Sequence, residues 1–331
     1  MGKRLQEDFV LEPQNSGRLS FFNGNTLYMT VMILFVTVGY IAQQRDFTSG
    51  ILITEFLLIA LPAIIFTKSN GASVKKELRF NSLSFIDALL VIVAAVSAYF
   101  VAVFINLVAE IFISMMGDLI VPDIPFAKNL KEYLLLLFLI AGSAGICEEI
   151  LFRGFILRSY EKLGMWPGII ITALLFSMLH LNIQNMAAPF FLGIFLGFVV
   201  YKTNSIYAGM LGHFINNGVS VTWGYVIMSL PFYRSISAEQ LQGGVTTQSL
   251  VGASVFFGLL LPFAGTIMVL CLKAISDRHP EAAFRKSDES FMCLLKNIRL
   301  SWPLLICLLI FIGMMIIEIM LITNGKRLIN F

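Results

Sequence analysis

Residues 134–153 read Leu134-Leu135-Leu136-Leu137-Phe138-Leu139-Ile140-Ala141-Gly142-Ser143-Ala144-Gly145-Ile146-Cys147-Glu148-Glu149-Ile150-Leu151-Phe152-Arg153. With the four residues before it, this run is long enough for a helix to cross roughly 30 Å of hydrocarbon. It ends in two adjacent carboxylates and an arginine. Comparable runs lie near 27–42, 51–67, 85–116, 166–188, 189–202, 205–229, 250–272 and 301–323. Together with 130–152 they give nine expected helices joined by short connections. The run at 85–116 is about 48 Å long as a helix, so it tilts or projects into water.

Composition agrees. Apolar residues make up 58% of the 331 and charged residues 13%, against roughly 45–50% and 25% in soluble domains. The expected fold is an all-α polytopic membrane protein, a bundle of eight to nine transmembrane helices with an intramembrane polar cavity. Residues 1–26 read as a cytoplasmic segment before a single transmembrane domain at 27–325. No apolar stretch precedes Leu27, so the first span reads as an anchor and not as a cleaved signal. A net charge of +3 is too small to argue for nucleic acid. The cysteines Cys147, Cys271, Cys293 and Cys307 have no paired spacing and imply neither a disulfide framework nor a zinc finger.

Placing the N-terminus in the cytoplasm leaves Arg45, Lys128, Lys131, Arg234, Lys326 and Arg327 on the far side and the other 17 Lys and Arg inside. That distribution satisfies the positive-inside rule for a nine-span chain in the cell membrane.

An ionisable side chain at the bilayer centre costs roughly 2.5–3.5 kcal/mol on the insertion scale, so each one needs a reason. Glu149 and Arg153 stand at i and i+4 with the acid first, the better order for an intrahelical pair. Glu148 points about 100° away and is free to face another helix. Two of the three histidines, His180 and His213, also fall in apolar runs. Glu148 lies 16 residues before Gly164 and His180 lies 16 after it, so a hairpin turning there sets both at one depth. His213 and Asn217 share a face at i and i+4, and they reach that depth only if the helix bearing Glu148 extends into the cytoplasm.

A carboxylate beside a histidine can deprotonate water, and a second histidine with an asparagine can donate to the oxyanion of a tetrahedral intermediate. In order, spacing and helical setting, Glu148-Glu149-Ile150-Leu151-Phe152-Arg153, Phe176-Ser177-Met178-Leu179-His180 and His213-Phe214-Ile215-Asn216-Asn217 resemble the EExxxR, FxxxH and HxxxN motifs of the CAAX prenyl protease type II family, also called CPBP or Abi. The resemblance covers about residues 130–225. It implies an eight-helix core and an intramembrane endopeptidase acting on a membrane-associated peptide or protein. It assigns water activation to Glu148 and His180, the oxyanion hole to His213 and Asn217, and support to Glu149 and Arg153. Family members include proteases that trim prenylated C-termini and bacterial relatives linked to leader peptides and bacteriocin immunity, so the substrate stays open.

Blander alternatives stand beside this reading. Polar side chains also glue helices together without chemistry, and the fold then serves a non-proteolytic regulator or immunity-type protein that grips a partner. No cofactor is expected. In a minority alternative Glu148, His180 and His213 ligate zinc, although no His-Glu-x-x-His is present. Cys147 reads as a packing residue, and Ser143 within Gly142-Ser143-Ala144-Gly145 as part of a close helix approach. Glu55, Glu110 and Glu318, without partners nearby in sequence, read as interface or end-of-helix residues. Phe176 packs one turn before His180 in a supporting role. Asn182, Gln184 and Asn185 either line the mouth of the site or break the helix before Pro189.

Overall fold

The computed structural model describes residues 19–120, 125–230, 245–280 and 298–324. Among them nine long helical rods follow one another: α1 (Phe21–Arg45), α2 (Phe47–Ser69), α3 (Phe85–Ser114), α4 (Leu130–Leu163), α5 (Met165–Leu179), α6 (Ala187–Thr203), α7 (Ile206–Ser229), α8 (Thr247–Arg278) and α9 (Ile298–Asn324). Most of the expected segment 1–26, Cys293, and the C-terminal Lys326 and Arg327 lie outside the described residues.

Starts and stops follow local chemistry. Ser20, Asp46, Ser84, Asn129 and Thr246 each accept a backbone N–H in the first turn of the helix that follows, satisfying donors that a helix otherwise leaves open. Gly164, at φ 99°, takes a backbone conformation that suits glycine and reverses the chain from α4 into α5. The expected hairpin is therefore present.

Six rods, α1–α4, α8 and the Trp302–Asn324 part of α9, are long and apolar enough to cross a membrane, and the chain is an integral membrane protein. The expected nine crossings are not all of that kind. α5 has 15 residues, about 22 Å of helix, because it stops at Leu179 and not near 188. There His180 closes the helix, and Leu181 turns left-handed at φ 50°. α6, with 17 residues, is short in the same way, and α7 carries a polar stripe that lowers its hydropathy.

α4 is the axis. Its Ala144–Glu149 stretch lies between two wider π-helical stretches, Leu137–Ser143 and Ile150–Ile156, and every residue from Ile150 to Leu157 is buried except for traces. On one side Tyr28, Val31, Ile59, Phe152, Phe155 and Phe176 join α1, α2 and α5 to it. A second apolar cluster, including Val91, Ala95, Phe195, Leu196 and Val199, ties α3, α6 and α7 together. α8 packs on α3 and turns Phe256, Leu259, Phe263 and Leu270 outward, as expected for a lipid-facing helix.

Candidate active site

Small residues bring α4 and α7 together. A Cβ added to Gly145 would stand 3.2 Å from the Phe214 nitrogen, and one added to Gly209 would be driven into Glu149 Oε2 and within 2.7 Å of Val200. The small-residue stretch before Cys147 thus acts at Gly145, as its composition suggested. Ile206, the first residue of α7, lies beside Gly154. α4 therefore runs nine residues, or about 14 Å, past the start of α7, which lets His213 stand level with Glu148.

This register places His213 against both carboxylates. Its Nδ1 is 2.9 Å from Glu149 Oε1, and its Nε2 is 3.7 Å from Glu148 Oε2. The same Glu149 oxygen accepts from Arg153 Nη1 at 2.7 Å. Glu149 and Arg153 are both fully buried, so their charges are compensated inside the protein. Arg153 also points Nη2 at the Gly193 carbonyl and sits 4.5 Å from the centroid of Phe176. Glu149 is thus more than the partner of Arg153: it holds His213 as well, a contact the motif spacing did not disclose.

Phe176 is the hub of these rings. It meets His180 edge-on at 5.0 Å, His213 at 5.8 Å and Phe152 at 5.0 Å. The expected packing on His180 is present and extends to three further partners.

Hydrogen bonding assigns the imidazole protons. His180 Nδ1 lies 2.9 Å from the Phe176 carbonyl, which only accepts, so Nδ1 carries the proton and Nε2 the lone pair. His213 donates Nδ1–H to Glu149, which leaves its Nε2 as an acceptor in the neutral ring and as a donor once the ring is doubly protonated. Asn217 donates from Nδ2 to the Ile140 carbonyl at 3.1 Å and accepts at Oδ1 from Asn216 Nδ2 at 3.3 Å. Its second amide hydrogen is not used by these bonds.

Glu148, Phe176, His180, His213 and Asn217 all line one cavity of about 400 Å³. Asn216, Tyr99, Asn106, Glu110, Asn185 and Ser220 line it too. Among the described residues no group of three or more His, Cys, Asp or Glu side chains is arranged to hold a metal ion, so the zinc alternative has no gathered donor set there.

One sequence reading needs correction. Glu110 is no plain interface residue: it lines the cavity and accepts from Asn106 Nδ2 at 2.8 Å. Its partner stands four residues earlier on the same face of α3, a spacing visible in the sequence. Glu318, on α9, accepts from the Ile183 nitrogen at 2.6 Å and so braces the loop after His180. That loop does both things considered for it. Asn182 accepts from the Asn185 nitrogen, Gln184 bonds both backbone groups of Ile120, and Asn185 lines the cavity.

Residues 130–219 match the family model for type II CAAX prenyl endopeptidase, Rce1-like. The resemblance read from the motifs is thereby borne out over that segment. The Rce1-like segment opens at the start of α4 and ends two residues after Asn217, so it takes in all four proposed catalytic positions while α1–α3, α8 and α9 lie outside it. No curated protein and no solved structure matches the chain.

Proposed function

We propose that the chain is an intramembrane endopeptidase that hydrolyses a peptide bond of a membrane-associated peptide or protein, with its N-terminus in the cytoplasm. The observation that carries this reading is the gathering of Glu148, His180, His213 and Asn217, from three helices, on the wall of one cavity. The Rce1-like match over the same segment supports it.

Glu148 and the Nε2 lone pair of His180 are both acceptors, and a water donating to them is polarised for attack. Its oxygen adds to the scissile carbonyl carbon while its proton passes to Glu148. The carbonyl electrons move onto oxygen, which takes a hydrogen bond from the free amide hydrogen of Asn217 and, when the ring is doubly protonated, from His213 Nε2. Collapse of the intermediate breaks the C–N bond, and the stored proton goes to the departing nitrogen. The products are one new carboxylate and one new amine. Donors aimed at a developing oxyanion in a site of low dielectric are worth about 3–4 kcal/mol each by mutagenesis.

The test is the set of membrane-peptide termini in cells expressing either wild type or Glu148→Gln at matched levels, read by mass spectrometry. A terminus present only with wild type supports the peptidase. Identical termini, with Glu148→Gln still complementing loss of the gene, turn the reading to the non-proteolytic regulator.

A further inference from the structure

The cavity has a second carboxylate that hydrolysis does not use. Glu110 projects from α3, and one of its oxygens is held by Asn106 Nδ2. Asn106 is itself pinned, donating to the Gln184 carbonyl at 3.2 Å and accepting from the Ala188 nitrogen at 3.3 Å. The carboxylate is therefore fixed in place through Oε1, and Oε2 has no protein partner among the described residues.

A second acceptor on the same wall is also unmet. Asn217 gives its amide to Ile140 and must accept from Asn216, so Asn216 spends Nδ2 there and its Oδ1 is left buried without a partner among the described residues. Among the described residues lining the cavity there is no Lys or Arg. A ligand entering this space meets two carboxylates, and only imidazoles on the cationic side. A free C-terminal carboxylate would be desolvated beside like charges, whereas an ammonium or guanidinium would be matched.

Resting on the peptidase reading, we propose that Glu110 is a specificity-determining residue that receives a cationic N–H donor of the substrate, and that the substrate is a peptide carrying positive charge close to its scissile bond. The cation is either a Lys or Arg side chain or the peptide's own N-terminal ammonium.

The experiment uses the full chain in lipid nanodiscs and fluorescent, acylated decapeptides of one sequence. Four peptides carry a central lysine or an acetyl-lysine, each with a free or an acetylated N-terminus, the acyl anchor being on a side chain. Binding is measured with Glu148→Gln, which switches hydrolysis off and leaves Glu110 as the cavity's free carboxylate, and with Glu148→Gln/Glu110→Gln, whose glutamine still accepts from Asn106. The expected result is at least tenfold tighter binding of a cationic peptide over its neutral twin, lost with Glu110→Gln and reversed toward peptides bearing a C-terminal carboxylate with Glu110→Lys. The lysine and N-terminal pairs tell which cation is read. Equal binding of charged and neutral peptides, no binding of any, or a preference that survives Glu110→Gln overturns the proposal. Cleavage of the same peptides by wild type separates the two ideas. Charge-selective binding without cleavage retires the peptidase and keeps the cation site, and cleavage indifferent to charge does the reverse.

Discussion

His213 Nδ1 lies 2.9 Å from Glu149 Oε1 although the two residues are 64 positions apart in the chain. This bond locks the ring of one helix to the carboxylate of another, and through Glu149 it reaches the fully buried Arg153. The adjacent glutamates therefore have different duties. Glu149 is bonded to Arg153 and His213, and Glu148 lines the cavity, so we propose a supporting role for the first and a chemical one for the second.

Substituting each glutamate by glutamine separates those duties. Glu149→Gln leaves Arg153 buried without its counter-charge, a loss of about 3–5 kcal/mol for a broken buried pair. Its yield and melting temperature in detergent fall. Glu148→Gln keeps both near wild type and removes the proposed general base, which costs about 10²–10⁴-fold in rate. Thermal denaturation and a cleavage assay, run side by side, check both.

Gly209 and Gly252 give a matched pair. At Gly209 an added methyl collides with Glu149 Oε2 and Val200, whereas at Gly252 nothing lies within 4 Å. Gly209→Ala is expected to cost about 1–3 kcal/mol through overpacking and to depress turnover by shifting Glu149. Gly252→Ala, at an open helical position, gains up to about 1 kcal/mol in helix propensity. Opposite signs in melting temperature are the expected readout.

Asn217→Ala removes the amide hydrogen that we propose stabilises the oxyanion. Turnover falls about 10²–10³-fold on the precedent of single oxyanion donors, with KM changed far less. A variant that loses affinity and keeps kcat would place Asn217 in substrate binding instead.

Phe176→Leu keeps an apolar side chain and deletes the ring that contacts His180, His213 and the Arg153 guanidinium. A desolvated cation–π contact is worth about 2 kcal/mol, so the variant loses stability and, with both imidazoles less well held, activity. Phe176→Tyr, which keeps the ring, retains more of each.

Much of this was legible in the residues. Apolar run lengths placed the rods, equal distances from Gly164 placed Glu148 and His180 at one depth, and helical spacing paired Glu149 with Arg153. What escaped depends on contacts between helices. The grip of Glu149 on His213 follows from how closely α7 approaches α4 at Gly145 and Gly209, which periodicity does not report. α5 ends at Leu179 because the backbone turns left-handed at Leu181, and Leu181 carries no glycine or proline signal. For Glu110 the i, i+4 spacing from Asn106 is visible in the sequence, but not the wall it faces. Its place on the cavity wall emerges only when α3 is set beside α4 and α7.

The most direct test of water activated by Glu148 is isotopic. The full chain, reconstituted in liposomes, is incubated in water enriched in oxygen-18 with the peptide whose terminus distinguishes wild type from Glu148→Gln in cells. The account predicts one heavy oxygen in the new C-terminal carboxylate with wild type, the fragment absent with Glu148→Gln, and no covalent peptide adduct trapped on the chain at any time. A labelled fragment formed equally well by Glu148→Gln, or a peptide adduct captured on Cys147 or Ser143, would contradict it.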